Sequence, residues 1–217
     1  PEYLTEYILE DASLMDLPTA LKEIHFPENH DNLLKARHRL AFDEIFLLQL
    51  GVLRQKHEWI NAEGRKFPVD DDWLNNQLNR LPFSLTDAQQ KVLSDLRADL
   101  DSGRPMNRLL QGDVGSGKTI IAGLGIAMVV RSGSQAAYMA PTSILAEQHY
   151  KNLKQLLTTS SDHHPLLEES QIRLLIGDTP SRERHEILEG LAQGWVKLVI
   201  GTHALIEDPV VFNDLQF

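Results

Sequence analysis

The sequence predicts an α/β fold, a parallel sheet flanked by helices and preceded by a mainly helical segment. Three observations predict it. Residues 112–119 read Gly-Asp-Val-Gly-Ser-Gly-Lys-Thr, a glycine-rich turn ending in lysine and threonine. Ile120–Val130 follows as an apolar helical stretch. From there to residue 201, short apolar runs alternate with amphipathic helical patterns. That alternation is the mark of parallel strands joined by right-handed helical crossovers.

The composition narrows the class. A hydrophobic share of 42% with 24% charged residues suits a globular chain. The longest apolar run, around Ile120–Val130, is too short to span a bilayer. There is no cysteine, which excludes disulfides and thiolate zinc sites. The net charge of −10 at first argues against nucleic acid as a partner. Much of it is local, however. Glu2, Glu6, Glu10, Asp11, Asp16, Glu23, Glu28 and Asp31 face a single base, Lys22, in residues 1–31, and the rest is near neutral. Whole-chain charge therefore decides little, and no strong basic patch speaks for DNA. The sequence opens at Pro1 and stops at Phe217 within what reads as a strand, so it is expected to be a piece of a longer protein.

In chain order, residues 1–31 read as short helices and loops. Ser13 is a candidate cap for a helix bearing Leu14, Leu17, Leu21 and Ile24, ended by His25-Phe26-Pro27. A long amphipathic helix is expected from about Asn32 to His57, with Asp31 as N-cap. Leu33, Leu40 and Leu47, with Leu34, Ala41, Ile45, Leu48 and Val52, form its apolar stripe. Arg37, His38, Arg39, Arg54 and Lys56 read as a solvated basic edge, with DNA phosphate as the alternative contact. Residues 61–82 are polar and broken, a linker with some helix near Trp73–Leu81 and a domain boundary close to Pro82. Thr86 and Gln89 have capping-box spacing ahead of a helix bearing Val92, Leu93, Leu96 and Leu100, which stops at Ser102-Gly103. An adenine-reading role for Gln89, with Phe83 packed on the base, is the alternative.

Residues 112–119 fit G-x-x-x-x-G-K-[ST], the phosphate-binding loop. A strand ending at Leu109-Leu110 is expected to lead into it. The glycines Gly112, Gly115 and Gly117 let backbone N–H groups close around phosphates, with Asp113, Val114 and Ser116 completing the loop, and the helix start adds its positive dipole end. Lys118 would reach the β- and γ-phosphates of ATP, and the Thr119 hydroxyl would hold Mg²⁺. A glycine turn with a chance lysine is the bland alternative; all four fixed positions in this setting argue against it.

Beyond the loop, Gln135–Ala140 is a strand, Pro141-Thr142 a turn, and Ile144–Leu157 a helix. Residues 158–170 form a polar loop, Ile172–Ile176 a strand, Ser181–Ala192 a helix, and Trp195–Ile200 a strand ending in Gly201-Thr202-His203. Pro141-Thr142 and Gly201-Thr202 stand at the C-terminal ends of parallel strands, where α/β sheets bind ligands. Small hydroxyls and free N–H groups there suit phosphate-backbone contacts. Helix capping for Thr142 and a simple turn for Thr202 are the alternatives.

With these residues in view, the sequence resembles the superfamily 2 helicases, and among them the RecG family of branch-migration translocases. Gln111–Thr119 has that family's form of the loop, of which transcription-repair coupling factors have a close variant. Met139-Ala140-Pro141-Thr142 with Leu145-Ala146-Glu147-Gln148-His149 resembles motif Ia and its helix, and Gly201-Thr202-His203-Ala204 a later threonine motif. The resemblance covers residues 83–217 well and residues 1–82 weakly. It implies a RecA-like first motor domain over 83–217, truncated before its acidic Walker B motif, and a helical linker over 1–82 following a DNA-binding wedge. It implies an upstream adenine-binding glutamine at Gln89, and DNA contacts at Pro141, Thr142, Gln148, Gly201, Thr202 and His203. It implies ATP and Mg²⁺ as cofactors and a parent ATP-dependent helicase that remodels forks and Holliday junctions in recombination and repair. Its expected setting is the bacterial cytoplasm at the nucleoid, as a monomeric motor without membrane contact, with replication-fork proteins as further partners. The acidic pair that holds Mg²⁺ and orients the attacking water is missing. Asp178, after Leu174-Leu175-Ile176-Gly177, lacks the neighbouring glutamate and precedes the threonine motif, whereas the family's acidic strand comes after it. The isolated chain is accordingly expected not to hydrolyse ATP.

Overall fold

Strands β1 (Ala136–Met139), β2 (Ile172–Leu175) and β3 (Leu198–Gly201) form a parallel sheet in the order β1-β3-β2. The computed structural model that shows this describes residues 1–158, 165–207 and 209–217. Met139 and Leu175 both stand opposite Gly201, so the three strands end level. Leu198, Val199 and Ile200 have no exposed surface. A strand covered on both faces needs an unbroken apolar run, and β3 has one.

Successive β3 side chains point to opposite faces and meet different helices. Leu198 and Ile200 face α6 (Lys118–Val130) and α7 (Ser143–Thr158) through Ile126, Ala127, Val130, Ala146, Leu153 and Leu157. Val199 faces α8 (Ser181–Gln193) through Ile187 and Leu191. The far side of α6 packs Ile121, Leu124 and Met128 against Leu93, Leu96 and Leu100 of α5 (Asp87–Asp101). Squeezed between sheet and helix, α6 is apolar nearly all round, as its sequence is. Each such side chain contributes on the order of 1.5–3 kcal/mol by leaving water. Among the described residues, no helix is long and apolar enough to cross a membrane.

By its contacts the chain divides into two units, Pro1–Ala62 and Glu63–Phe217. Pro82, near which composition placed a boundary, falls inside the second unit. So does the short helix Asp71–Asn79, capped by Asp70 accepting from the Trp73 N–H, where a helical turn was expected.

The first unit holds Glu6–Asp11, Leu17–His25 and the long helix His30–Asn61. Its caps differ from those expected. Asp16, not Ser13, caps the second helix by accepting from the Thr19 N–H, and Ser13 takes a positive φ of 51° instead. Asn29, not Asp31, caps the long helix by accepting from the Asn32 N–H at 2.8 Å, leaving Asp31 to pair with Lys35 in the first turn. The buried face also differs. Leu34, Ile45, Leu47, Leu48 and Val52 of the expected stripe are exposed, and Ala36, Arg39 and Asp43 are buried. Arg39 is the reason. Far from lying on a solvated edge, it is fully buried, with both terminal nitrogens on Glu2 at 2.7 and 2.8 Å and Nε on Asp43 at 2.9 Å. Those bonds draw residues 2–17 onto that side of the helix.

In the second unit, the strand expected at Leu109-Leu110 does not form; residues 105–113 carry no regular structure and Leu109 is exposed. A strand needs a ladder partner. The free edge of β1 already bonds the last residues: Gln135 N–H to Asp214 O, Gln216 N–H to Gln135 O and Ala137 N–H to Phe217 O. These bonds lay Asp214–Phe217 parallel to β1. The third strand is shorter than Trp195–Ile200, because Trp195 turns aside to pack on Gly190. Of the polar loop 158–170, residues 159–164 lie outside the described residues.

Candidate functional site

The loop from Gly112 to Thr119 wraps the start of α6 and is open to solvent at Gly112–Ser116. Gly115 and Gly117 have φ of 82° and 84°, a left-handed backbone that other residues adopt only with strain. Gly112 has a different constraint, since a Cβ there would stand 2.6 Å from Ser116 Oγ. Asp113 O accepts from the Ser116 N–H, closing the turn, and Val114 projects fully into solvent. No side chain caps α6. Among the described residues, the N–H groups of Gly117, Lys118 and Thr119 have no hydrogen-bond acceptor. A ring of free donors at a helix start is an anion site. Lys118 Nζ bends back over it, donating to Gly112 O and Asp113 O at 2.7 Å each. The residues therefore fit a polyphosphate: three free N–H groups and one ammonium converge at one helix start.

Gln89 forms the capping box that its spacing predicts, and its amide also reaches the loop. Its Oε1 accepts from the Thr86 N–H at 2.9 Å while Thr86 Oγ1 accepts from the Gln89 N–H, which is the capping box. Its Nε2 donates to Ser116 O at 2.9 Å, so the cap of α5 grips the phosphate loop. Phe83 is brought close as well. It lines a cavity of about 290 Å³ with Arg80, Pro82, Thr119, Ile120 and Gln155. Thr119 is half-buried, and its Oγ1 lies 3.5 Å from His149 Nδ1. Burial pushes the His149 imidazole below its ordinary pKa.

The two strand-end motifs emerge side by side. Ala140 N–H donates to Gly201 O at 2.8 Å, so Pro141-Thr142 and Gly201-Thr202 leave the same edge of the sheet. Pro141, Thr142 and Gln148 are exposed. Thr142 Oγ1 accepts from the Leu145 N–H at 3.3 Å and so caps α7. Gly201 is closed in, because a Cβ there would stand 2.1 Å from Leu175 O. Thr202 is only 5% exposed, while His203 is on the surface, 3.8 Å from Glu207. Sequence reasoning did not single out Arg65, Ser134, Gln135 or Asp214. Arg65 and Ser134 both donate to Asp214, at 2.9 and 2.8 Å. The buried Gln135 amide donates to Leu191 O and Val196 O and accepts from the Asp214 N–H. The Ser134 hydroxyl, then the Gln216 amide, hold the Asp214 carboxyl below its usual range.

The family model described as DEAD/DEAH box helicase matches residues 86–217. The ATP-dependent DNA helicase RecG of Synechocystis sp. is 43% identical over 98% of this chain and 25% of its own length. The RecG of Thermotoga maritima is 41% identical over 99% of this chain and 26% of its own. Among solved structures, RecG bound to a three-way DNA junction matches with a TM-score of 0.73 and 41% identity, over 99% of this chain and 28% of that one. The chain spans about a quarter of the length of these relatives.

Proposed function

The chain belongs to the DEAD/DEAH box helicase family, and from that premise we propose that it is part of an ATP-dependent DNA helicase and double-strand translocase of the RecG kind. Residues 83–217 then belong to the first motor domain, and residues 1–82 to the helical link from a DNA-binding wedge. The observation that carries this reading is the pairing of two features in one α/β unit. One is a phosphate loop with free N–H groups at Gly117, Lys118 and Thr119. The other is a sheet edge from which Pro141-Thr142 and Gly201-Thr202 emerge together.

In this reading the N–H groups and Lys118 offset the charge of the ATP phosphates, and Gln89 holds the loop from the adenine side. Thr119 Oγ1 is the side-chain oxygen placed to hold Mg²⁺, which when bound supplies further charge neutralisation at the phosphates. Pro141, Thr142, Gln148, Gly201, Thr202 and His203 form the edge that meets the DNA backbone. Backbone contacts suit a motor, which must step along any sequence. Branched DNA is the partner, in keeping with the junction held by the RecG relative of known structure. The same reading carries a monomeric motor working in the bacterial cytoplasm at the nucleoid, near replication-fork proteins. A motor of the transcription-repair coupling kind is less favoured, since the relatives at 37–43% identity bear the RecG name. No Asp-Glu pair ends an apolar strand in the chain, so alone it should bind nucleotide without turning it over.

The test is Lys118→Ala in the full-length protein. DNA-stimulated ATP turnover should fall at least about a hundred-fold, as when a transition-state charge partner is removed. Turnover retained at the original level would refute the loop's assignment.

A further inference from the structure

The geometry around the start of α6 points to a positioning residue outside the loop: we infer that His149 orients the Thr119 hydroxyl by accepting a hydrogen bond from it at Nδ1. This rests on reading residues 112–119 as a nucleotide site.

The two atoms stand 3.5 Å apart, a long contact, and the only hydrogen bond of the His149 ring among the described residues. The ring is held for the purpose. It lies against Tyr138 of β1, centroids 4.9 Å apart and planes at 54°. The ring is half-buried in the packing of α7 on the sheet. A hydroxyl has one proton and two lone pairs. In the first turn of a helix, a threonine hydroxyl can give its proton back to a nearby main-chain carbonyl, which fixes its lone pairs by helix geometry alone. Thr119 does not do so here. Its partner comes from another helix, and a proton directed at His149 leaves both lone pairs free for a divalent cation. Neutral imidazole has the accepting nitrogen this requires. The ring belongs to α7, whose cap is Thr142, so one helix ties the turn at the sheet edge to the support of Thr119. Outer partners that orient a metal-holding group are typically worth 10- to 100-fold in metal affinity.

The experiment uses the full-length protein, a fluorescent ADP analogue and a Mg²⁺ titration, with binding in EDTA as the reference. His149→Phe keeps a ring against Tyr138 and removes the acceptor. His149→Asn keeps an acceptor close to the position of Nδ1. His149→Phe is expected to raise the half-saturating Mg²⁺ concentration about ten-fold and to leave binding in EDTA unchanged, with His149→Asn recovering most of the loss. A His149→Phe titration that overlays the unsubstituted protein overturns the inference. So do equal shifts in the two variants, which would mean that packing alone matters. If His149→Phe also loses binding in EDTA, the site is distorted and His149→Asn decides alone, by titrating like the unsubstituted protein or not. If the unsubstituted protein binds the analogue with no response to Mg²⁺, the inference about His149 is overturned, and if it does not bind the analogue at all, the nucleotide-site reading itself fails.

Discussion

The two units of the chain are held together by opposite means. In residues 1–62 the buried hydrophobics are Leu4, Ala20 and Ala36, which is little apolar volume, and the centre is a charge, Arg39. In residues 63–217 three apolar clusters enclose the sheet, and buried polar groups such as Gln135 serve to fix neighbours in place. A buried ion pair adds little net stability over a well-packed apolar substitute, yet breaking it is costly because a charge is left without a partner. A close-packed core is strong but unforgiving of added volume. The first unit should therefore fail when a charge is unpaired, and the second when a methyl group is added.

The largest effect is expected from Arg39→Ala. It strands Glu2 and Asp43 and should cost the first unit about 3–5 kcal/mol. Hydrogen exchange would show it as lost protection in Leu17–His25 and His30–Asn61 with the strands unchanged; protection kept in both helices would break the contrast. Next comes Gly201→Ala, whose Cβ meets Leu175 O at 2.1 Å. It should destabilise the second unit by about 1–3 kcal/mol, visible in β2 and β3 and absent from the first unit's helices. The smallest is a mild acid effect. Arg39, against some opposition from burial, holds the Glu2 carboxyl well below the usual carboxylate range. Glu2 therefore binds a proton less readily folded than unfolded. Its contribution is full above the unfolded value near 4.3 and drains away as pH falls below it. Circular dichroism from pH 6 to 3.5 should show the first unit loosening ahead of the second; coincident loosening would mean that Glu2 is no special weakness.

These weaknesses were not equally legible in the sequence. The glycine-rich turn into α6 was, because the left-handed backbone at Gly115 and Gly117 favours glycine just before a helix. The capping box was, because its two partners lie three residues apart. The strands were, because β1, β2 and β3 are apolar runs with helices between. Arg39 was not: its partner Glu2 lies 37 positions away, and nothing in the local pattern separates it from the exposed Arg37. The choice of Asn29 over Asp31 turned on two good caps standing two residues apart. The strand expected before Gly112 failed because pairing is decided by which edge is free, a property of the whole sheet. The approach of His149 to Thr119 depends on how α7 settles on α6, which no spacing encodes.

The strand order carries a consequence for synthesis. Helices close on their own local bonds, but β1 and β2 share no bond with each other and pair only through β3, the last of the three to be made. At about 5–20 residues per second, β1 waits on the order of seconds for its partner. Until then its side chains have only α6 and α7 to shelter them. A ribosome paused ahead of Leu198 would leave two unpaired strands on one nascent chain, so the middle strand sets the time at which β1 and β2 first join.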